Sequence, residues 1–240
     1  MYLTLLPGLV CDRAIWAPVL PMLDGSAECR VADYAGLASI SAMAAHVLAD
    51  APARFCLAGH SMGGRVALEI VRVAPGRVMR LALLDTGYHS RAPGAEGEAE
   101  RVGRLELLEL ARRKGMRAMG LTWLEGMLHA PHLADASLTE AIAAMVARHS
   151  VATFAAQIDA LLARPDATAV LRGIACPTLI GCGREDVWSP LSRHKDMARL
   201  VPGATLVPFD DCGHMASMEQ PGAVGAALLA WLTAPEAPVS

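Results

Sequence analysis

Gly59-His60-Ser61-Met62-Gly63-Gly64 stands between an apolar run, Arg54-Phe55-Cys56-Leu57-Ala58, and a helical pattern, Val66-Ala67-Leu68-Glu69-Ile70-Val71. A Gly-x-Ser-x-Gly at a strand-to-helix junction implies a turn so tight that the serine backbone is strained and its neighbours two residues away nearly touch. Glycine at 59 and 63 meets that demand, because it brings no Cβ to clash. A serine presented this way is a candidate nucleophile, provided that a base, an orienting acid and an oxyanion site lie within reach.

The downstream sequence offers them. Pro177-Thr178-Leu179-Ile180-Gly181 reads as a short buried strand and leads into Cys182-Gly183-Arg184-Glu185-Asp186. Ala204-Thr205-Leu206-Val207-Pro208-Phe209 reads as the next strand and leads into Asp210-Asp211-Cys212-Gly213-His214. Loops at the carboxyl ends of parallel strands share one edge of the sheet, where ligand sites form. Ser61, Asp186 and His214 can therefore converge, in the chain order nucleophile, acid, base. Glu185, Asp210, Asp211 and Asp85 compete with Asp186 for the acid position.

Together, Gly-x-Ser-x-Gly-Gly, then Gly183-Arg184-Glu185-Asp186 with Pro190, then Gly213-His214 with Glu219-Gln220-Pro221 resemble the α/β-hydrolase superfamily. The resemblance runs from Leu3 to about Leu232. Within the superfamily the chain is similar to small bacterial serine hydrolases with a Leu-Leu-Pro-Gly-Leu-x-Cys-Asp start, here Leu5 to Asp12. The resemblance implies Ser61 as nucleophile, His214 as general base and Asp186 as its orienter. It also implies an oxyanion hole from the Met62 N–H and one N–H of the Leu6–Val10 loop, assigned to Leu9. Relatives often carry His-Gly where this chain has Pro7-Gly8, which removes a side chain that braces the loop. A serine nucleophile sets the chain apart from the haloalkane dehalogenases and epoxide hydrolases, which attack with an aspartate.

Composition narrows the remaining classes. The chain has 240 residues, enough for one large domain with a substantial core, and it is 54% hydrophobic but only 4% aromatic, so the core is aliphatic. A formal net charge of −3 argues against a general nucleic-acid binder, and no apolar run reaches the 18 or so residues of a spanning helix. The start, Met1 to Gly8, has no basic segment and reads as a strand rather than a signal peptide. A cytoplasmic enzyme without membrane contact is the expectation. The six cysteines lack metal-ligand spacing and read as buried free thiols, and a serine triad requires no metal and no organic cofactor, so none is expected.

Strands alternating with helices predict an α/β fold: a mostly parallel sheet of about six strands, with helices on both faces. The pattern places strands near 3–6, 29–32, 54–58, 78–84, 177–181 and 204–209. Helices are expected near 16–23, from Ser39 or Ser41 as cap to about 49, and over 62–73. The core comprises 1–88 and 173–234, and residues 235–240 form a frayed tail. Between them, 89–172 shows only helical periodicity, with Val102, Leu105, Leu108 and Leu110 on one face and a solvated charged run from Arg101 to Lys114. Ser137 with Glu140 reads as a capping box. An all-helical insertion at this point resembles the family's cap. Met116, Met119, Trp123, Met127 and Leu128 form an apolar cluster that either lines a substrate pocket or packs the cap onto the core.

These features lead to the expectation of a serine hydrolase of a small, mostly apolar carboxylic ester or lactone, with that ester and water as partners. Thioesterase, enol-lactonase and C–C bond hydrolase activities use the same triad. The last two call for cap arginines on substrate carboxylates, and Arg112, Arg113, Arg117 and Arg148 are available. A non-catalytic small-ligand receptor is the reading from a different class.

Overall fold

A computed structural model describes residues 1–34 and 36–235. Its strands are β1 (Tyr2–Leu6), β2 (Glu28–Val31), β3 (Phe55–His60), β4 (Val78–Leu84), β5 (Thr178–Gly183) and β6 (Thr205–Phe209). They form one six-stranded, wholly parallel sheet in the order β2-β1-β3-β4-β5-β6. Every residue of β3 and β5 is buried, as expected for central parallel strands covered on both faces. Both strands run two residues beyond their apolar patterns. Backbone pairing continues through Gly59, His60, Cys182 and Gly183 regardless of side chain, and so carries the strands up to the loops of interest.

The helices are α1 (Leu20–Leu23), α2 (Ile40–Asp50) and α3 (Met62–Val73) before β4; α4 (Gly94–Lys114), α5 (Met116–Leu124), α6 (Ala136–Ala147), α7 (Val151–Leu162) and α8 (Thr168–Arg172) before β5; then α9 (Leu191–Leu200), α10 (Ala216–Glu219) and α11 (Pro221–Thr233). On one side α1 packs against α11, and on the other α2 packs against α3, with α8 joining α3 to α9. Ser39 caps α2 by accepting the Ala42 N–H at 3.1 Å. The helix expected over 16–23 is a short 3-10 turn, Arg13–Ile15, followed by the single turn of α1, in a stretch where Pro18 and Pro21 withhold backbone donors.

Helices α4 to α8 lie between β4 and β5, in the stretch 89–172 expected as an insertion. Here α4 packs on α5 and α7, and α5 packs on α6. The expected capping box is replaced by an aspartate: Asp135 Oδ1 accepts the Ser137 and Leu138 N–H groups, while Glu140 pairs with Arg117. The inward face of α4 also differs from its apolar pattern. Leu108 and Ala111 are buried, Val102 and Leu105 are exposed, and Arg104 and Glu100 turn inward. Among the described residues no single helix is long and apolar enough to cross a membrane. Residues 236–240 lie outside the described residues, and with them nearly all of the expected tail.

Candidate active site

Ser61 occupies the junction of β3 and α3 with φ 53° and ψ −115°, a conformation that is strained for any L-residue. A Cβ at Gly59 would stand 2.5 Å from Gly63 O, and one at Gly63 would stand 2.1 Å from Leu6 O. Neither position has room for a side chain, so the glycines of the motif are what allow the turn to close. The strained residue is tied down on both sides. Its N–H donates to Leu84 O at 2.9 Å, and the Thr86 hydroxyl donates to Ser61 O at 2.6 Å.

From Ser61 a chain of hydrogen bonds leads away from the sheet edge. Ser61 Oγ lies 2.9 Å from His214 Nε2, and His214 Nδ1 lies 2.8 Å from Asp186 Oδ2. The other Asp186 oxygen accepts the Trp188 and Ser189 N–H groups, each at 2.8 Å. A carboxylate at Nδ1 holds the proton there and leaves Nε2 free to accept from the serine hydroxyl. Burial pushes the Asp186 carboxyl up, but the His214 charge and the hydrogen bonds outweigh it and hold the group below its ordinary range. None of the competing acids contacts His214 among the described residues. Glu185 accepts the Cys212 N–H at 2.8 Å, and Asp210 pairs with Arg184 at the surface. Asp211 has φ 51°, and its carbonyl accepts from Gln220 at 3.1 Å. Asp85 is fully buried and accepts the Gly183 N–H at 2.8 Å; burial and the nearby Asp186 charge push it well up.

His60, beside the nucleophile, packs against the His214 ring at 5.3 Å and donates from Nε2 to His214 O at 2.8 Å. Burial, and then the His214 charge, lower it to about 3, so it is a neutral brace. The Leu9 N–H donates to no acceptor among the described residues, and Met62, first in α3, carries an N–H with no acceptor inside the helix. Leu9, Met62, Ser61 and His214 all line one cavity of about 560 Å³. Gln157 from α7 accepts the Val10 N–H at 2.8 Å and so braces the loop that carries Leu9. Of the five apolar pocket candidates, Trp123 lines the cavity and meets Trp188 edge-on at 6.0 Å. Met116 and Met119 are buried in the packing of the insertion, Met127 and Leu128 lie against the histidine loop, where Met127 O accepts the His214 N–H at 2.7 Å, and none of the four lines the cavity. Arg112, Arg117 and Arg148 are half-exposed in ion pairs with Glu109, Glu140 and Asp12; none of these, nor Arg113, lines the cavity. Its arginines are Arg65, Arg91, Arg104, Arg164 and Arg193.

A sequence profile described as the alpha/beta hydrolase family matches residues 2–227. The chain belongs to that family. This hydrolase is 25% identical over 233 residues to pimeloyl-[acyl-carrier protein] methyl ester esterase of Aromatoleum aromaticum, covering 91% of this chain and 93% of that protein. It is 28% identical over 241 residues to 2-succinyl-6-hydroxy-2,4-cyclohexadiene-1-carboxylate synthase of Salmonella paratyphi B, covering 92% and 90%. Among solved structures it resembles a malate-bound thermophilic esterase from Thermogutta terrifontis, with a TM-score of 0.84 and 28% identity over 97% of this chain and 89% of that one.

Two residues of the candidate site were hidden in the sequence. Gln157 is a lone polar residue in the apolar stripe of Phe154, Ile158 and Leu161, which is the signal that could have found it. Glu219, fully buried, accepts the Gly213 N–H at 3.1 Å and the Met215 N–H at 3.1 Å on either side of His214. The same carboxylate takes the His129 N–H at 2.8 Å and contacts His132 Nδ1 at 3.0 Å, tying the histidine loop to the insertion. Asp85, Cys182 and Asp186 bring three donor atoms within 4.8 Å. Both Asp186 oxygens are already bonded, however, and burial raises the Cys182 thiol far from the thiolate a metal needs.

Proposed function

We propose that the protein is a serine hydrolase that cleaves a small carboxylic ester or lactone through an acyl-enzyme on Ser61. The observation that carries this reading is the continuous chain from Ser61 Oγ through His214 to Asp186 beside two backbone N–H groups in one cavity. As the hydroxyl adds to the carbonyl carbon, its proton passes to His214 Nε2. The carbonyl oxygen becomes an oxyanion held by the Leu9 and Met62 N–H groups, and one such donor is typically worth about 3–4 kcal/mol. Collapse of the adduct expels the alcohol, which takes the proton from His214. A water molecule, deprotonated by His214 in turn, attacks the acyl carbon and releases the acid and free Ser61. Asp186 keeps the Nδ1 proton in place throughout.

Leu9, Met62, Trp123, Leu161 and Trp188 supply apolar surface around the reacting end, which suits a short acyl or alkyl group. Similarity to a protein named for methyl ester cleavage supports ester chemistry. The measurement is kcat/KM on para-nitrophenyl butyrate for the wild type and Ser61→Ala. The expected outcome is multiple turnovers by the wild type and a loss on the order of 10⁶-fold in the variant. A wild type that binds ester-like ligands tightly without turning over would favour the receptor reading, and equal rates in both proteins would remove Ser61 from the mechanism.

A further inference from the structure

One wall of the cavity carries more positive charge than the protein itself neutralises. Its carboxylates are Glu96, Glu100 and Asp166, against five arginines. Glu100 is shared by Arg104 at 2.9 Å and Arg164 at 2.6 Å. Asp166 is taken by His89 at 3.3 Å and by the Thr168 N–H at 2.9 Å. Arg91 donates to Gly97 O at 3.1 Å.

Arg65 and Arg193 have no carboxylate partner among the described residues. Arg65 donates to His89 O at 2.8 Å and Arg193 donates to Trp188 O at 3.1 Å. A guanidinium has five N–H donors, so one carbonyl each leaves most of their capacity unused. The two also converge. A Cβ on Gly87 would meet Arg65 Nη2 at 2.8 Å and Arg193 Nη1 at 3.3 Å, so both heads reach the same point of the backbone. Gly87 follows Thr86, whose hydroxyl holds the Ser61 carbonyl. Arg65 stands in the first turn of α3, four residues after Ser61. Burial, then the charges of Arg164, Arg104 and Arg193, push Arg65 well below the ordinary guanidinium range. Carbonyl bracing alone would need one donor per arginine and gives no reason to gather like charges in a partly buried wall, which is costly without an anion.

We propose that the substrate carries a free carboxylate, held between Arg65 and Arg193, with its scissile ester or lactone carbonyl a few carbons away at Ser61. This rests on the Ser61 reading above and names the substrate class for that site: short monoesters of dicarboxylic acids and related carboxylate-bearing esters. A planar carboxylate suits a pair of guanidinium forks, each of which can donate two parallel N–H bonds.

The test compares para-nitrophenyl hydrogen glutarate with para-nitrophenyl pentanoate, a neutral ester of similar length. In the wild type kcat/KM favours the glutarate ester by about 10- to 100-fold, the range expected for charge-assisted hydrogen bonds. In the Arg65→Gln/Arg193→Gln double variant that ratio falls to near one. Independently of whether the variant folds, free glutarate competes with pentanoate-ester hydrolysis in the wild type, and sulfate at equal concentration does so more weakly. A wild-type ratio near one, a ratio that survives the double substitution, or equal inhibition by sulfate would each overturn the carboxylate assignment. Ser61→Ala separates the two readings: if it abolishes hydrolysis of the neutral ester while the charge preference is absent, only this inference fails.

Discussion

On the sheet side of the cavity, position is fixed by backbone. A Cβ at Gly63 would overlap Leu6 O, and at Gly183 it would stand 2.0 Å from Gly213 O. The turn that carries Ser61 is thus locked against the loop after β1, and the Asp186 loop against the His214 loop, by main-chain contact. On the insertion side one main-chain contact, the His214 N–H to Met127 O at 2.7 Å, is joined by contacts made mostly by side chains. Gln157 reaches one N–H, Glu219 joins His132 to the histidine loop, and Arg104, Arg164 and Glu100 form an ion-paired cluster. Backbone locking tolerates no substitution and suits a fixed reaction, whereas a side-chain wall can be rewritten residue by residue without disturbing the turn. On the proposed reading the chemistry belongs to the first region, while the choice of substrate is shared between the second and the Arg65–Arg193 pair, which α3 and α9 carry from the sheet side.

That contrast can be broken or sharpened by substitution. The largest effect after loss of Ser61 belongs to Asp186→Asn. The amide allows the wrong His214 tautomer, and kcat is expected to fall on the order of 10⁴-fold with KM little changed. A kcat within tenfold of the wild type would take Asp186 out of the triad. Next comes Gly63→Ala. Its Cβ has only backbone to displace, so unfolding free energy is expected to drop by more than about 4 kcal/mol or folding to fail, read by urea denaturation. A fully stable, active Gly63→Ala would mean that the turn is not locked as described.

On the insertion side the effects are smaller. Gln157→Leu leaves the buried Val10 N–H without an acceptor. The expected cost is about 1–3 kcal/mol of stability, with kcat reduced rather than KM raised, because the loop bearing Leu9 loosens. Arg117→Ala removes only an exposed pair with Glu140 on the outer surface. The melting temperature and kcat/KM are expected to stay near the wild type, since such pairs are worth at most about 1 kcal/mol. A large kinetic effect at Arg117 would contradict the separation of inner and outer faces.

The same division governs what could be read from the sequence. The elbow, the six parallel strands, the Ser39 cap and the loops with Asp186 and His214 are set by local rules: apolar runs, glycine where no Cβ fits, and chain order along one sheet edge. Those rules act within a few residues, so they survive in the sequence. The insertion obeys no such rule. Its apolar periodicity shows where helices pack but not which neighbour each face meets, so Met116, Met119, Met127 and Leu128 read as either pocket or packing residues, and they are buried away from the cavity. Arg104 sits within a charged run that reads as solvated, yet Glu100 and Arg164 draw it inward. Asp135, two residues upstream of Ser137, caps α6 because its carboxylate accepts two N–H groups at once. Arg65 left a trace, as a charged residue in the otherwise apolar first turns after the elbow, but what it faces depends on α9 and on the residues around Gly87.

The central claim is that Ser61 is activated by His214 and Asp186. It is tested most directly by exposing the wild type, Ser61→Ala and His214→Ala to a fluorophosphonate and reading intact masses. A single adduct on the wild type, none on Ser61→Ala and strongly slowed labelling of His214→Ala is the predicted result. An unlabelled wild type that is folded, or labelling that persists without Ser61, would contradict it.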